Sequence, residues 1–185
     1  MYANSNTFSL INPSNCLFVI IDIQEKLIPA ISGKEELVNN ITRLAAFSRI
    51  ANIPVVITEQ EKLGPTLPEV KTLLPDIQPV QKTHFNCFYN HDFNNQVLAT
   101  GRKTLILAGV EAHICVSQTA IHASSGYIVH VVADAVSSRT PENKQIALQR
   151  MLHNGSIITS TEMCIYELLG RAGTDEFKAA LQLVK

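Results

Sequence analysis

Charge is scarce in this chain: 17% of its 185 residues are charged, and neither sign gathers into a run. Fifteen Lys and Arg stand against 16 Asp and Glu, a formal charge of -1. No field favours nucleic acid or an anionic membrane, so a small, uncharged or mildly polar molecule fits better as partner. Long apolar runs are missing too. The longest near the start, CLFVII, is broken by Asp22 and is far too short to span a bilayer. The first 15 residues hold no Lys or Arg and so lack the charged region of a secretory signal. Four cysteines, Cys16, Cys87, Cys115 and Cys164, form no C-x-x-C pair, which argues against a zinc ribbon or a redox dithiol. Reduced thiols and a cytoplasmic location are expected. Internal repeats and low-complexity segments are absent as well.

Hydrophobic residues, at 46%, are plentiful enough for a heavily buried interior and an apolar subunit interface. The length suits a single domain over 1–185, able to bury about two-thirds of the surface its unfolded chain exposes. CLFVIID, PVVIT, PVQKT, TLILAG, YIVHVVAD and SIITS read as short strands, most of them separated by stretches of helical periodicity. Such alternation predicts an α/β fold, a parallel sheet covered by helices on both faces. KEELVNNITRLAAFSRIAN puts Leu37, Ile41, Leu44, Ala45 and Ile50 on one helical stripe. PENKQIALQRMLHNG has Thr140 placed to cap it, Pro141 at its first position and Gly155 past its end. T-S-T-E at 159–162 has the spacing of a capping box before a helix that Gly170 closes, and a terminal amphipathic helix is expected over 175–184. The longest irregular stretch runs from Glu59 to Pro79 with four prolines, a length at which loops are often lids or binding surfaces.

In an open parallel sheet, ligands bind beyond the carboxyl ends of the strands. The first strand ends at Asp22, with Gln24 just after it; the third ends near Lys82; the fourth ends at Gly109, and Cys115 follows where a helix is expected to begin. One crevice can hold all three side chains. A helix N-terminus and a neighbouring ammonium would pull the thiol pKa well below its ordinary value of about 8.5. Asp22 could instead take the thiol proton and pass it to a leaving group, with Lys82 keeping that carboxylate ionised.

These segments, D-x-Q after the first strand, QKTHFNCF and GVEAHICV, resemble the isochorismatase-like cysteine hydrolases over about residues 10–183. D-I-Q-E-K-L-I-P-A-I, E-Q-x-x-L-G-P-T and V-V-A-D-A-V-S-S-R bring the resemblance nearest to the isochorismatase domain-containing subgroup. It implies a three-layer, Rossmann-like fold with a six-stranded parallel sheet in the order 3-2-1-4-5-6, and an Asp-Lys-Cys triad falling on Asp22, Lys82 and Cys115. It also implies a cis peptide between Val110 and Glu111, turning the Glu111 amide beside the Cys115 amide as an oxyanion hole. Homo-oligomers, from dimers to larger rings, are implied too. Nicotinamidases of the superfamily resemble one another in a D-x-H metal site after the second strand. Here no histidine occurs from Thr58 through Thr83, so neither metal nor other cofactor is expected.

Plainer readings stand beside these. Cys16 and Cys164 read as packing, and Cys87 as packing or pocket wall. Gln24 either caps a turn or binds substrate. Leu27, Phe85, Phe88, His113 and Ile114 complete the candidate pocket, although phenylalanines are more often core. His84 and His91 lack metal spacing. Glu111 would oppose a thiolate, so its side chain is expected to point away, into a salt bridge across a subunit contact. The expected activity is metal-free hydrolysis of a small amide or related acyl compound through a thioester. Its rivals are vinyl-ether hydrolysis with Asp22 as acid, and a binding or scaffold protein that keeps the fold without efficient catalysis.

Overall fold

The computed structural model describes residues 10–184. Six parallel strands, β1 (Cys16–Ile21), β2 (Val55–Gln60), β3 (Val80–Lys82), β4 (Thr104–Val110), β5 (Ile128–Ser137) and β6 (Ile157–Thr159), form one sheet in the order β3-β2-β1-β4-β5-β6. Parallel neighbours need crossover connections, and a right-handed helix returning over the sheet supplies them. Along β1 the side chains alternate: Cys16, Phe18 and Ile20 enter one apolar cluster, while Leu17, Val19 and Ile21 enter another on the opposite face. All six are buried, which explains an unbroken apolar run with no polar alternation.

The first face is covered by α1 (Lys34–Ile50), the short α2 (Pro68–Leu73), α6 (Thr161–Leu169) and α7 (Asp175–Val184); the second by α3 (His91–Ala99), α4 (Ser117–Ala123) and α5 (Pro141–His153). On α1 four members of the expected stripe, Leu37, Ile41, Leu44 and Ala45, pack inward joined by Phe47, while Ile50, at the last position of the helix, is only half-buried. Thr140 Oγ1 accepts from the Asn143 amide and Pro141 opens α5, as the sequence suggests. Two elements differ from expectation. The box at 159–162 is shifted by one residue: Ser160 caps α6 by accepting from the Met163 amide, and Asp134 accepts from the Thr161 amide. The stretch from Glu59 to Pro79 is not wholly irregular, because Val70 anchors α2 in the core and Gln24 bridges Thr66.

The expected cis peptide before the nucleophile is not found: the Val110–Glu111 bond is trans. The chain turns instead through Glu111, in the left-handed region at φ 54°, into a π-helical turn over Ala112–Val116. Asp22, at φ 55°, makes a comparable turn after β1. Aspartate tolerates this region better than most residues. Among the described residues no helix is long and apolar enough to cross a membrane.

Candidate active site

Sheet order reverses between β2 and β4, which flank β1, and this is where an open α/β sheet leaves a crevice. Asp22, one residue past β1, donates its backbone N–H to the Thr58 carbonyl at 3.1 Å and is completely buried. Lys82 ends β3 and is also buried along its whole length. A buried ammonium or carboxylate persists only when paired and hydrogen-bonded. The two meet that condition together: Lys82 Nζ donates to Asp22 Oδ2 at 2.7 Å, while Thr58 Oγ1 donates to Asp22 Oδ1 at 2.7 Å. Both carboxylate oxygens therefore accept from donors.

The Lys82 ammonium also donates to Gln60 Oε1 at 2.8 Å and approaches Cys115 Sγ at 3.9 Å. Burial by itself would lower the Lys82 pKa, but the Asp22 carboxylate, which also accepts its hydrogen bond, outweighs it and the group lies above its ordinary value. It is an ammonium at neutral pH. Asp22, Lys82 and Cys115 are thus brought together as the sequence anticipates.

The expectation of a depressed thiol pKa is overturned. Burial first, and the Asp22 carboxylate second, push the Cys115 thiol above its ordinary value; Lys82 pulls the other way and does not win. The thiol is 5% exposed, and it sits inside the π-helical turn, ahead of Ser117, where α4 begins. At neutral pH it rests protonated. Cys87 is close enough to both charges to sense them, and burial raises its thiol to about 11 despite Lys82. Its amide is tied to Thr119 Oγ1 at 3.0 Å.

Other candidate residues divide. Gln24 is a tie within the scaffold: its Nε2 donates to the carbonyls of Gln60 and Gly64, and its Oε1 accepts from the Gln60 amide. Phe88 turns into the core, stacked on His122 with ring centroids 5.1 Å apart. Leu27 and Ile114 pack against opposite core clusters, while Phe85, at 53% exposed, stands in solvent. His113 Nδ1 lies 3.0 Å from Ser138 Oγ and 3.5 Å from Glu111 Oε2. Glu111 does form a salt bridge, but within its own chain: Arg139 Nε donates to its Oε1 at 2.7 Å. Among the described residues no group of three or more His, Cys, Asp or Glu side chains gathers as a metal site would require.

Thr58 and Gln60 were not anticipated. Their signal was available, because they alternate with Glu59 at the carboxyl end of β2, beside the ends of β1 and β3. The strand-end rule that selects Asp22 and Lys82 selects them as well.

Known proteins share this architecture. The family described as "Isochorismatase domain" matches residues 16–163. The "Secreted isochorismatase effector Isc1" of Phytophthora sojae (strain P6497) is 36% identical over 186 residues, spanning 95% of this chain and 87% of its own. The structure of MAR1 ribonuclease from Caenorhabditis elegans superposes with a TM-score of 0.88 at 34% identity, covering 95% of this chain and 92% of that one. YcaC of Escherichia coli, described as an octameric hydrolase of unknown specificity, gives a TM-score of 0.89 at 27% identity, with 95% and 89% covered.

Proposed function

The chain belongs to the isochorismatase family of hydrolases, and on that premise we propose that it is a metal-free cysteine hydrolase of a small amide or related acyl compound. The observation that carries this reading is the Lys82 ammonium, 2.7 Å from the Asp22 carboxylate and 3.9 Å from the Cys115 sulfur, with all three groups buried. Cys115 Sγ attacks the substrate carbonyl while its proton passes to Asp22, since a thiol whose pKa is raised needs a base to take its proton. The carbonyl oxygen becomes an oxyanion that needs backbone N–H donors; with the Val110–Glu111 bond trans, the turn expected to bring the Glu111 amide beside that of Cys115 is absent, and the amides of the π-helical turn over Ala112–Val116 are the donors nearest the sulfur in the chain. Collapse breaks the C–N bond as Asp22 returns the proton to the leaving nitrogen, leaving a thioester. Water then gives a proton to Asp22 and its oxygen to the carbonyl, the acid departs, and the proton goes back to sulfur. Lys82 remains an ammonium throughout and holds Asp22 ionised between proton transfers.

The vinyl-ether reading needs Asp22 as an acid. Both its oxygens already accept hydrogen bonds, from Thr58 Oγ1 and Lys82 Nζ, an arrangement of acceptors that suits a base better than an acid. A scaffold reading draws on the 5% exposure of Cys115, since a substrate must displace surrounding side chains to reach it. Ribonuclease activity is named for the Caenorhabditis elegans neighbour; a polyanion suits this chain less well, because its formal charge is -1 without a basic run. The octameric neighbour supports a homo-oligomer here as well. Four free thiols suit a reducing compartment such as the cytosol, although one relative is named as secreted.

The test uses p-nitrophenyl acetate as a general acyl donor, with acid quenching and intact-mass measurement. The wild type should gain one acetyl group at Cys115, and Cys115→Ala should lose that adduct together with at least a hundredfold of p-nitrophenol release. Undiminished release from a folded Cys115→Ala protein would remove the covalent mechanism. Release that survives in Cys115→Ala but disappears in Asp22→Asn would favour the aspartate-acid reading.

A further inference from the structure

Lysine presents three protons, and those of Lys82 meet three partners: Asp22 Oδ2 at 2.7 Å, Gln60 Oε1 at 2.8 Å and Cys115 Sγ at 3.9 Å. Two of these are obvious parts of a cysteine hydrolase; the carboxamide is not. A carboxamide can accept from an ammonium only through its oxygen, and Gln60 is fixed in that orientation. Its Nε2 donates to the Thr83 carbonyl at 2.8 Å, so its oxygen must face Lys82. Its backbone is held from the other side, with the amide donating to Gln24 Oε1 at 2.8 Å and the carbonyl accepting from Gln24 Nε2 at 2.9 Å. Gln24 is itself anchored on the Gly64 carbonyl at 2.6 Å. A rigid relay therefore runs from the loop after β2, through two glutamines, to the ammonium beside the sulfur.

We propose that Gln60 is a positioning residue that divides the Lys82 ammonium between Asp22 and Cys115, holding it by a neutral acceptor that does not cancel its charge. This rests on Cys115 being the reactive thiol. The choice of a carboxamide has a physical reason. The Asp22 carboxylate already raises the Cys115 thiol, and a second carboxylate on Lys82 would add to that effect. An apolar side chain would free the ammonium to settle on its two remaining partners. Gln60 does neither, and it keeps the distance to sulfur defined.

Two substitutions of similar size separate this role from a merely structural one. In Gln60→Glu the acceptor is kept and a charge is added; in Gln60→Met the charge is unchanged and the acceptor is lost. The readout is the rate of iodoacetamide alkylation at Cys115, followed by peptide mass spectrometry between pH 6 and pH 11 in native protein. At a fixed pH, Gln60→Glu should react at least tenfold more slowly than the wild type, an upward shift of about one pH unit. Gln60→Met should react faster, its profile moving to lower pH, because the ammonium then has only Asp22 and the sulfur to pair with. Opposite shifts are the signature of action through Lys82. If both folded variants titrate with the wild type, or both shift in the same direction, the inference is overturned. Gln60 is only half-buried, so a carboxylate there is tolerable; should Gln60→Glu fail to fold, an unshifted Gln60→Met profile is decisive against it. Absence of Cys115 alkylation in the wild type at every pH would instead remove the reactive-thiol reading, and this inference with it.

Discussion

His130 sits on β5 with both ring nitrogens buried and without a hydrogen-bond partner, a costly arrangement for any polar side chain. Burial holds its imidazole below the ordinary pKa, and Glu167 opposes this only in part. A group whose folded pKa is depressed contributes stability above its unfolded pKa, which is lost as pH falls toward the folded value, because the unfolded chain takes up the proton first. Wild-type protein should therefore lose stability on going from pH 7.5 to pH 5.0, and His130→Leu should lose measurably less in urea unfolding at the two pH values. Asp22 is the opposite case, a buried charge with every oxygen satisfied. Replacing it with Asn leaves Lys82 buried without its counter-ion, so Asp22→Asn should lose about 3–5 kcal/mol in the same assay besides losing turnover. The grouping of residues was legible in the sequence wherever a titratable type stood at or just beyond a strand end, as with Asp22, Lys82 and Cys115. The state of the thiol was not, since its pKa is set by burial and by a carboxylate 93 positions away in the chain.

At the scale of elements, the contact between β1 and β4 depends on one glycine. Gly109 pairs with Ile21 and has φ 136°, and a Cβ built there would lie 2.1 Å from the Ile21 carbonyl oxygen. Backbone cannot yield as a flexible side chain can. Gly109→Ala should cost more than about 4 kcal/mol or prevent soluble expression, measured by denaturant titration and by yield. The α6 cap is a gentler test: Ser160→Ala removes the acceptor of the Met163 amide and should cost about 1 kcal/mol in thermal unfolding, whereas Thr159→Ala should cost less at the cap. That contrast follows from the shifted register. Six strands, α1 and α5 were readable because apolar runs, helical stripes and Pro at a first position are local signals. The helix α3 was not, because HDFNNQVLA contains weak helix formers and is held by its Asn90 cap and by Phe93 and Val97 packing inward.

For the whole molecule, the expected homo-oligomer is tested by sedimentation velocity, which should show a species well above the 20.4 kDa of one chain; a monomer at micromolar concentration would remove that expectation. The sequence by itself determined the layered α/β architecture, because buried parallel strands and amphipathic helices write their burial into residue type at short range. It also indicated three side chains that the fold brings together, since strand ends point into the crevice of an open sheet. Tertiary structure alone decided how those groups are tuned. Lys82 and Asp22 form an ion pair only because β3 and β1 end close together two strands apart, and Cys115 stays protonated because folding removes it from water and sets it near the Asp22 carboxylate. Gln60 became part of the site through Gln24 and Thr83, whose hydrogen bonds fix which end of its carboxamide faces the ammonium. Such orientation has no local signature, because it is set by partners that only the fold brings together.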